Sequence, residues 1–179
     1  MSDAAADRRE PVTITKLELH AALLIRGRGL AAYCTSIDLP LPAPLFGITA
    51  YGERLVARTG STEGWVDFGS DRAARDRLAE QIEQDDLQIY TSRFAEASFS
   101  WTGPASEALL RRSCAADAEE LGTGRAHFVQ LAGVSAMLVI EGGEESVYRC
   151  WTDPSLGDYL RDSLRRGIDE LNTHTPRRC

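Results

Sequence analysis

The sequence predicts an α+β fold, a largely antiparallel sheet with about three helices packed on one face. Three observations lead there. Residues 127–172 hold an apolar run (Val134, then Ala136 to Ile140), a Gly142-Gly143 turn, a short β-prone strand and an amphipathic helix. Strand-period alternation recurs at Ala95, Ala97, Phe99 and Trp101, with Glu96, Ser98 and Ser100 between them. Helix-period stripes occur at Ala74, Leu78 and Ile82, and again at Leu110, Cys114, Ala118 and Leu121.

Taken in order, residues 1–10 are rich in Ala, Asp and Arg and read as a disordered leader. Residues 11–172 read as a single domain and 173–179 as a flexible tail. From Pro11 to Ile25 the apolar parity switches once, which predicts a long strand with a bulge or bend near Thr15–Lys16. Gly27-Arg28-Gly29 turns the chain, and Leu30–Leu39 reads as a returning strand through Tyr33 and Ile37. The prolines of Leu39–Pro44 lack an amide donor, so that stretch is an extended edge or loop. Two short strands flank Tyr51-Gly52-Glu53-Arg54, Gly60–Gly64 is a loop, and Trp65–Phe68 is a short strand. Ser70 caps a helix reaching about Gln84, whose narrow apolar stripe places it against the edge of the fold.

Asp86–Thr91 and Phe94–Trp101 read as a hairpin whose Glu96 face is wet. Pro104–Leu121 reads as a helix stopped by Gly122. The apolar run through Ile140 fits a strand buried on both faces, near the centre of the sheet. After the glycine turn, Val147–Trp151 returns, and Asp153-Pro154 starts the last helix. Leu156, Leu160, Leu164, Ile168 and Leu171 form its inward stripe, with Tyr159 beside them.

Residues 101–121 align without gaps to 151–171, with eight of 21 positions identical. A duplicated β-β-α unit would produce this, and so would two strand-to-helix junctions obeying the same capping rules. In element order alone, the last two units resemble small chaperone-like α+β dimers of bacterial secretion systems.

The formal charge is −7, spread evenly along the chain, and Lys16 is the only lysine. An acidic chain without a basic block argues against nucleic acid or an anionic membrane as partner. The N-terminus lacks an apolar signal region, no run approaches a membrane span, and no cysteine pair has C-x-x-C spacing. The expectation is a cytoplasmic protein with reduced thiols, Cys114 and Cys150 being core residues.

Chemistry-bearing motifs are sparse. Gly133-Val134-Ser135-Ala136-Met137 lacks the second glycine of a nucleophile elbow. His20 lies in the first strand, His127 opens the central hairpin and His174 is in the tail, so a Cys150–His127 pair is the one nucleophile–base pairing worth naming. No metal or phosphate motif is present, and neither metal nor cofactor is expected.

These readings favour a non-enzymatic module that binds a partner protein, such as an immunity protein, antitoxin or export chaperone. Glu119, Glu141, Glu144, Glu145, Asp158 and Asp162 are the candidate contact residues, and a homodimer is compatible with the pattern. The alternative is a small-molecule-binding protein or enzyme with a pocket between sheet and helices. Trp101, Tyr148, Cys150 and Trp151 would line it.

Overall fold

In the computed structural model, residues 12–14, 18–85, 88–143 and 146–173 are described. The leader 1–10, the Thr15–Lys16 bend, Glu144, Glu145, His174 and the rest of the tail lie outside them. The chain runs β1 (Thr13–Ile14), β2 (Glu18–Gly27), α1 (Leu30–Ser36), β3 (Ile48–Tyr51), β4 (Arg54–Gly60), β5 (Glu63–Asp67) and α2 (Arg72–Gln84). It continues through β6 (Ile89–Thr102), α3 (Ser106–Ser113), a 3-10 turn at Ala118–Glu120, β7 (Ala126–Leu131), β8 (Val134–Glu141), β9 (Val147–Thr152) and α4 (Pro154–Thr173). The α+β class and the antiparallel sheet expected from the sequence are both present, with four helices instead of about three.

The strands form one antiparallel sheet in the order β3-β4-β5-β2-β6-β9-β8-β7, with β1 also paired to β6. That order has an internal symmetry: β3-β4-β5-β2 is matched, mirrored across the β2–β6 ladder, by β6-β9-β8-β7. Each half is a β-α-β-β-β-α unit, from β2 to α2 and from β6 to α4. The repeat is therefore longer than β-β-α. The matching segments 101–121 and 151–171 fall on α3 and α4 of the same half, so their similarity reflects two strand-to-helix junctions.

The sheet curls until its ends meet. Gly47, just before β3, bridges to Arg125, just before β7, and the Ala126 amide donates to the Phe46 carbonyl at 2.7 Å. All four helices lie on the outer side. There α1 and α2 cover Ala21, Leu23, Ile25, Val56 and Val66, while α3 and α4 cover Phe99, Trp101, Leu138, Ile140 and Cys150. The opposite residues of the same strands (Ala22, Leu55, Ala57, Trp65, Met137, Val139 and Trp151) pack together inside the curl. Gly167 lets α4 approach α3, since a Cβ there would stand 2.8 Å from Leu109 Cδ1. Gly27 holds φ at +153° where a Cβ would strike the Gln88 carbonyl at 2.4 Å. No helix among the described residues is long and apolar enough to cross a membrane.

Several elements differ from expectation, each for a physical reason. Leu30–Ser36 is a helix, not a strand: Leu30, Tyr33 and Cys34 are buried at helical spacing i, i+3, i+4. Residues 89–102 form one long strand instead of a hairpin, because β2 pairs with it without a break from Ile89 to Ser98. The helix expected over Pro104–Leu121 ends at Ser113 and resumes only as the 3-10 turn. α2 packs on β2 and β6 at the middle of the sheet, away from its edge. β8 is one strand from the end of the order, and its two-sided burial comes from the curl. β7, its partner, was not separately expected. The last helix agrees closely, with Leu160, Leu164 and Ile168 buried. Leu156 and Tyr159, however, are 41% and 55% exposed.

That contrast is measurable. Leu160→Ala should destabilise by about 2–5 kcal/mol, the range for emptying a closely packed leucine site. Leu156→Ala should stay within roughly 0.5 kcal/mol, as exposed substitutions do. Urea unfolding of the two variants checks this.

Candidate functional site

A network of polar side chains lies inside the curl. Alternation along a strand sends neighbours to opposite faces, so burying Ala21, Leu23 and Val66 under the helices turns His20, Trp65 and Asp67 inward. Asp67 is 4% exposed. Its Oδ2 accepts from Trp151 Nε1 at 3.0 Å and lies 2.8 Å from His20 Nδ1, while Oδ1 accepts from the Gly69 amide at 2.9 Å. One carboxylate thus ties β2, β5, β9 and the turn after β5 together. Trp65 donates from Nε1 to Glu96 Oε2 at 3.2 Å and packs edge-on against Trp151, with centroids 5.2 Å apart. Each half of the sheet contributes one of these tryptophans.

Glu96, on β6, is half-buried in this cluster. Burial pushes its carboxyl up to about 7, and the Asp67 charge pushes the same way. The Trp65 hydrogen bond and His20 act in the opposite direction, more weakly. The face expected to be wet therefore holds a buried polar network.

Beside the closing rung, β3 and the segment before β7 border a cleft of about 580 Å³. Ile48, Ala50 and the Gly52–Arg54 turn form one wall, and Thr123, Gly124, Glu141 and Gly142 the other, with Asp67 and Arg149 also lining it. Arg149 Nη2 lies 3.2 Å and 3.4 Å from the two Glu141 oxygens. Its Nε is buried and has no hydrogen-bond partner. Arg54 lies over the Phe68 ring at 5.0 Å and the Tyr51 ring at 5.9 Å. Among the described residues, no group of three or more His, Cys, Asp or Glu side chains is placed to hold a metal ion.

The four residues expected to line a pocket are divided between the two faces. Trp101 and Tyr148 stack at 5.4 Å on the outer side, in the core with Cys150 beneath α3 and α4. Trp151 points inward to Asp67. None of the four lines the seam cleft. Cys150 is fully buried, which raises its thiol pKa strongly, and burial lifts Cys34 to about 11. The Cys150–His127 pair does not form: Leu138 of β8 separates their strands, and His127 Nε2 contacts the Gly122 carbonyl at 2.8 Å.

Of the acidic residues, Glu119 pairs with Arg111 at 3.0 Å, while Asp158 and Asp162 hold Arg161 at 2.8 and 2.9 Å. Glu141 belongs to the cleft, and Glu144 and Glu145 lie outside the described residues. Sequence reasoning missed Asp67 and Glu96. The available signal was polar residues on the strand face opposite a helix-covered one, but only the curl makes that face interior.

No protein-family model and no curated protein sequence matches this chain. Its fold is nevertheless shared with solved structures. A chain of the heterotetrameric sarcosine oxidase from Corynebacterium sp. U-96, solved in complex with pyrrole 2-carboxylate, superposes with a TM-score of 0.71 at 23% identity. The match covers 89% of this chain and 84% of that one. Glycine cleavage system aminomethyltransferase T from Bartonella henselae superposes at 0.65 with 10% identity, over 87% of this chain. This chain spans 46% of that enzyme's length. At these identities the likeness establishes a common fold.

Two outcomes follow from the interior network. Asp67→Ala strands the Trp151, His20 and Gly69 donors in the core and should destabilise by about 3–5 kcal/mol in urea unfolding. Glu96 titrates in the folded state near 7 against its ordinary 4.5, so the folded form keeps its proton longer. Stability should fall as pH rises between those values and level off above them. Glu96→Gln should flatten that slope, leaving the variant more stable than the native chain at pH 8 and similar to it at pH 4.

Proposed function

We propose that this chain is a non-catalytic subunit of a hetero-oligomeric enzyme, holding the place that the similar chain holds in heterotetrameric sarcosine oxidase. The observation that carries the reading is coverage in both directions: 89% of this chain on 84% of that one at a TM-score of 0.71. A shared module inside a larger enzyme would instead leave much of the other chain unmatched, as with the aminomethyltransferase. The proposal keeps the expectation of a protein-binding module. It drops the immunity-protein, antitoxin and export-chaperone forms, since neither similar structure belongs to those classes.

The interior supports the same reading. Asp67 makes its hydrogen bonds within the fold, and the Cys34 and Cys150 thiols are buried and held protonated. Contact with a partner falls on the start of α4, where exposed Leu156 and Tyr159 sit among Asp158 and Asp162. Exposed ion pairs contribute only about 0–1 kcal/mol, so Arg161 can exchange its carboxylates with a partner's cation at little loss. Glu119 is a second exposed carboxylate of this kind.

Size-exclusion chromatography of the native protein from its source tests the reading. The chain should elute in a stoichiometric assembly with larger chains, and Tyr159→Arg should release it while leaving its thermal unfolding unchanged. Elution as a lone 19.6 kDa chain under gentle, low-salt extraction would overturn it.

A further inference from the structure

The loop that leads into β3 carries an exposed apolar surface. Ala43, Pro44, Leu45 and Phe46 are four consecutive exposed residues, Leu45 at 46% and Phe46 at 37%. The Phe46 ring meets Phe128 of β7 edge-on, with centroids 6.2 Å apart, and Phe128 is itself 61% exposed. Apolar residues exposed singly are ordinary, but a contiguous patch of them marks a place where another molecule docks.

This loop is fixed in its exposed form. The Phe46 amide donates to the Arg58 carbonyl, and the Phe46 carbonyl accepts from the Ala126 amide, both at 2.7 Å. Those two bonds hold Phe46 at φ +61°, where a bulky side chain is strained. The Gly47 amide donates to the Pro44 carbonyl at 3.1 Å, and a Cβ on Gly47 would stand 2.9 Å from ring atoms of Pro42 and Pro44. Backbone bonds and prolines therefore keep Leu45 and Phe46 at the surface. Side chains set in place beforehand lose little freedom on docking.

The charges on the loop define what suits it. Arg58 donates from Nη1 to the Ala43 carbonyl at 2.7 Å and from Nη2 to the Ser61 carbonyl at 3.3 Å. Arg125 donates from Nη2 to the Leu45 carbonyl at 3.5 Å. Carbonyls accept these hydrogen bonds without neutralising the charge. Neither guanidinium pairs with a carboxylate among the described residues, whereas Arg93, Arg111 and Arg161 do. On a chain of formal charge −7, the loop is thus a locally positive and apolar spot. The start of α4 has the opposite sign, with Asp158 and Asp162 beside Leu156 and Tyr159.

We propose that loop 43–46 and Phe128 form a second docking surface, for a segment of the partner chain that carries large apolar side chains next to carboxylates. The apolar side chains cover Leu45, Phe46 and Phe128, and the carboxylates neutralise Arg58 and Arg125. This surface rests on the subunit reading for the existence of a partner chain, and adds the chemistry of the segment which that partner contributes.

Photo-cross-linking in cells of the source organism tests it, with p-benzoylphenylalanine in place of Phe128 and, as a control, in place of Arg77, exposed on α2. The expected result is an adduct from position 128 alone, mapped by mass spectrometry to one segment of a co-eluting chain with Asp or Glu beside apolar residues. Arg125→Glu should cut the adduct yield about tenfold, because a rim attraction becomes a repulsion. Leu45→Asp should do the same, and thermal unfolding of both variants should stay unchanged. An adduct within this chain or with a second copy of it, a mapped segment without carboxylates, or a yield indifferent to Arg125→Glu refutes the surface. Absence of an adduct from a chain that still elutes in its assembly refutes this surface and leaves the subunit reading standing. A lone chain without an adduct refutes both.

Discussion

A single buried carboxylate sets the terms for the rest of this molecule. Asp67 sits inside a curled sheet, 4% exposed, where an unpaired charge would oppose folding by several kcal/mol. It is admitted because three elements deliver donors to it: Trp151 from β9, His20 from β2 and the Gly69 amide from the turn after β5. β9 lies in one half of the sheet and β5 in the other, with β2 and β6 between them. The indole of Trp151 can reach Asp67 only if the sheet bends across that gap. The hydrogen bond and the curl therefore require each other.

The curl then explains the division of labour between the two faces. Outside, helices cover a conventional apolar layer on each half, and the two layers never merge into one cluster. Inside, small and aromatic residues from both halves meet in a third cluster, with Trp65 and Trp151 in edge contact. The interior joins the two similar halves a second time, beyond the β2–β6 ladder. A flat sheet of this order would have left Trp65, Met137 and Trp151 facing water. The β-α-β-β-β-α repetition suits this construction, because each half presents one helix-covered face and one face for its counterpart.

The sequence made the second half more legible than the first. The run to Ile140, the return through Trp151 and the helix from Pro154 are local patterns, and the two strands and the helix form where expected. Leu30–Ser36 was misread because a seven-residue helix offers two turns of periodicity, and Tyr33 and Ile37 also fit alternation. Glu96 and Ser98 were read as solvent-facing because alternation says which residues share a face and nothing about what covers it. Trp101 and Trp151 are expected to line one pocket, yet Trp101 turns outward while Trp151 turns inward beside Trp65. That parity depends on register, and register is set by pairing between strands far apart in sequence. Asp67 and His20 are 47 positions apart, so no local window could have joined them.

The closure of the curl is the last constraint, and it is incomplete. The two ends of the sheet meet through the Gly47–Arg125 bridge and the bond from Ala126 to Phe46, and then separate. Phe46 reaches that rung with φ at +61°, a conformation that bulky residues rarely adopt. In the antiparallel register of that bridge β3 runs opposite residues 121–124, which form no strand, so the pairing stops at the rung.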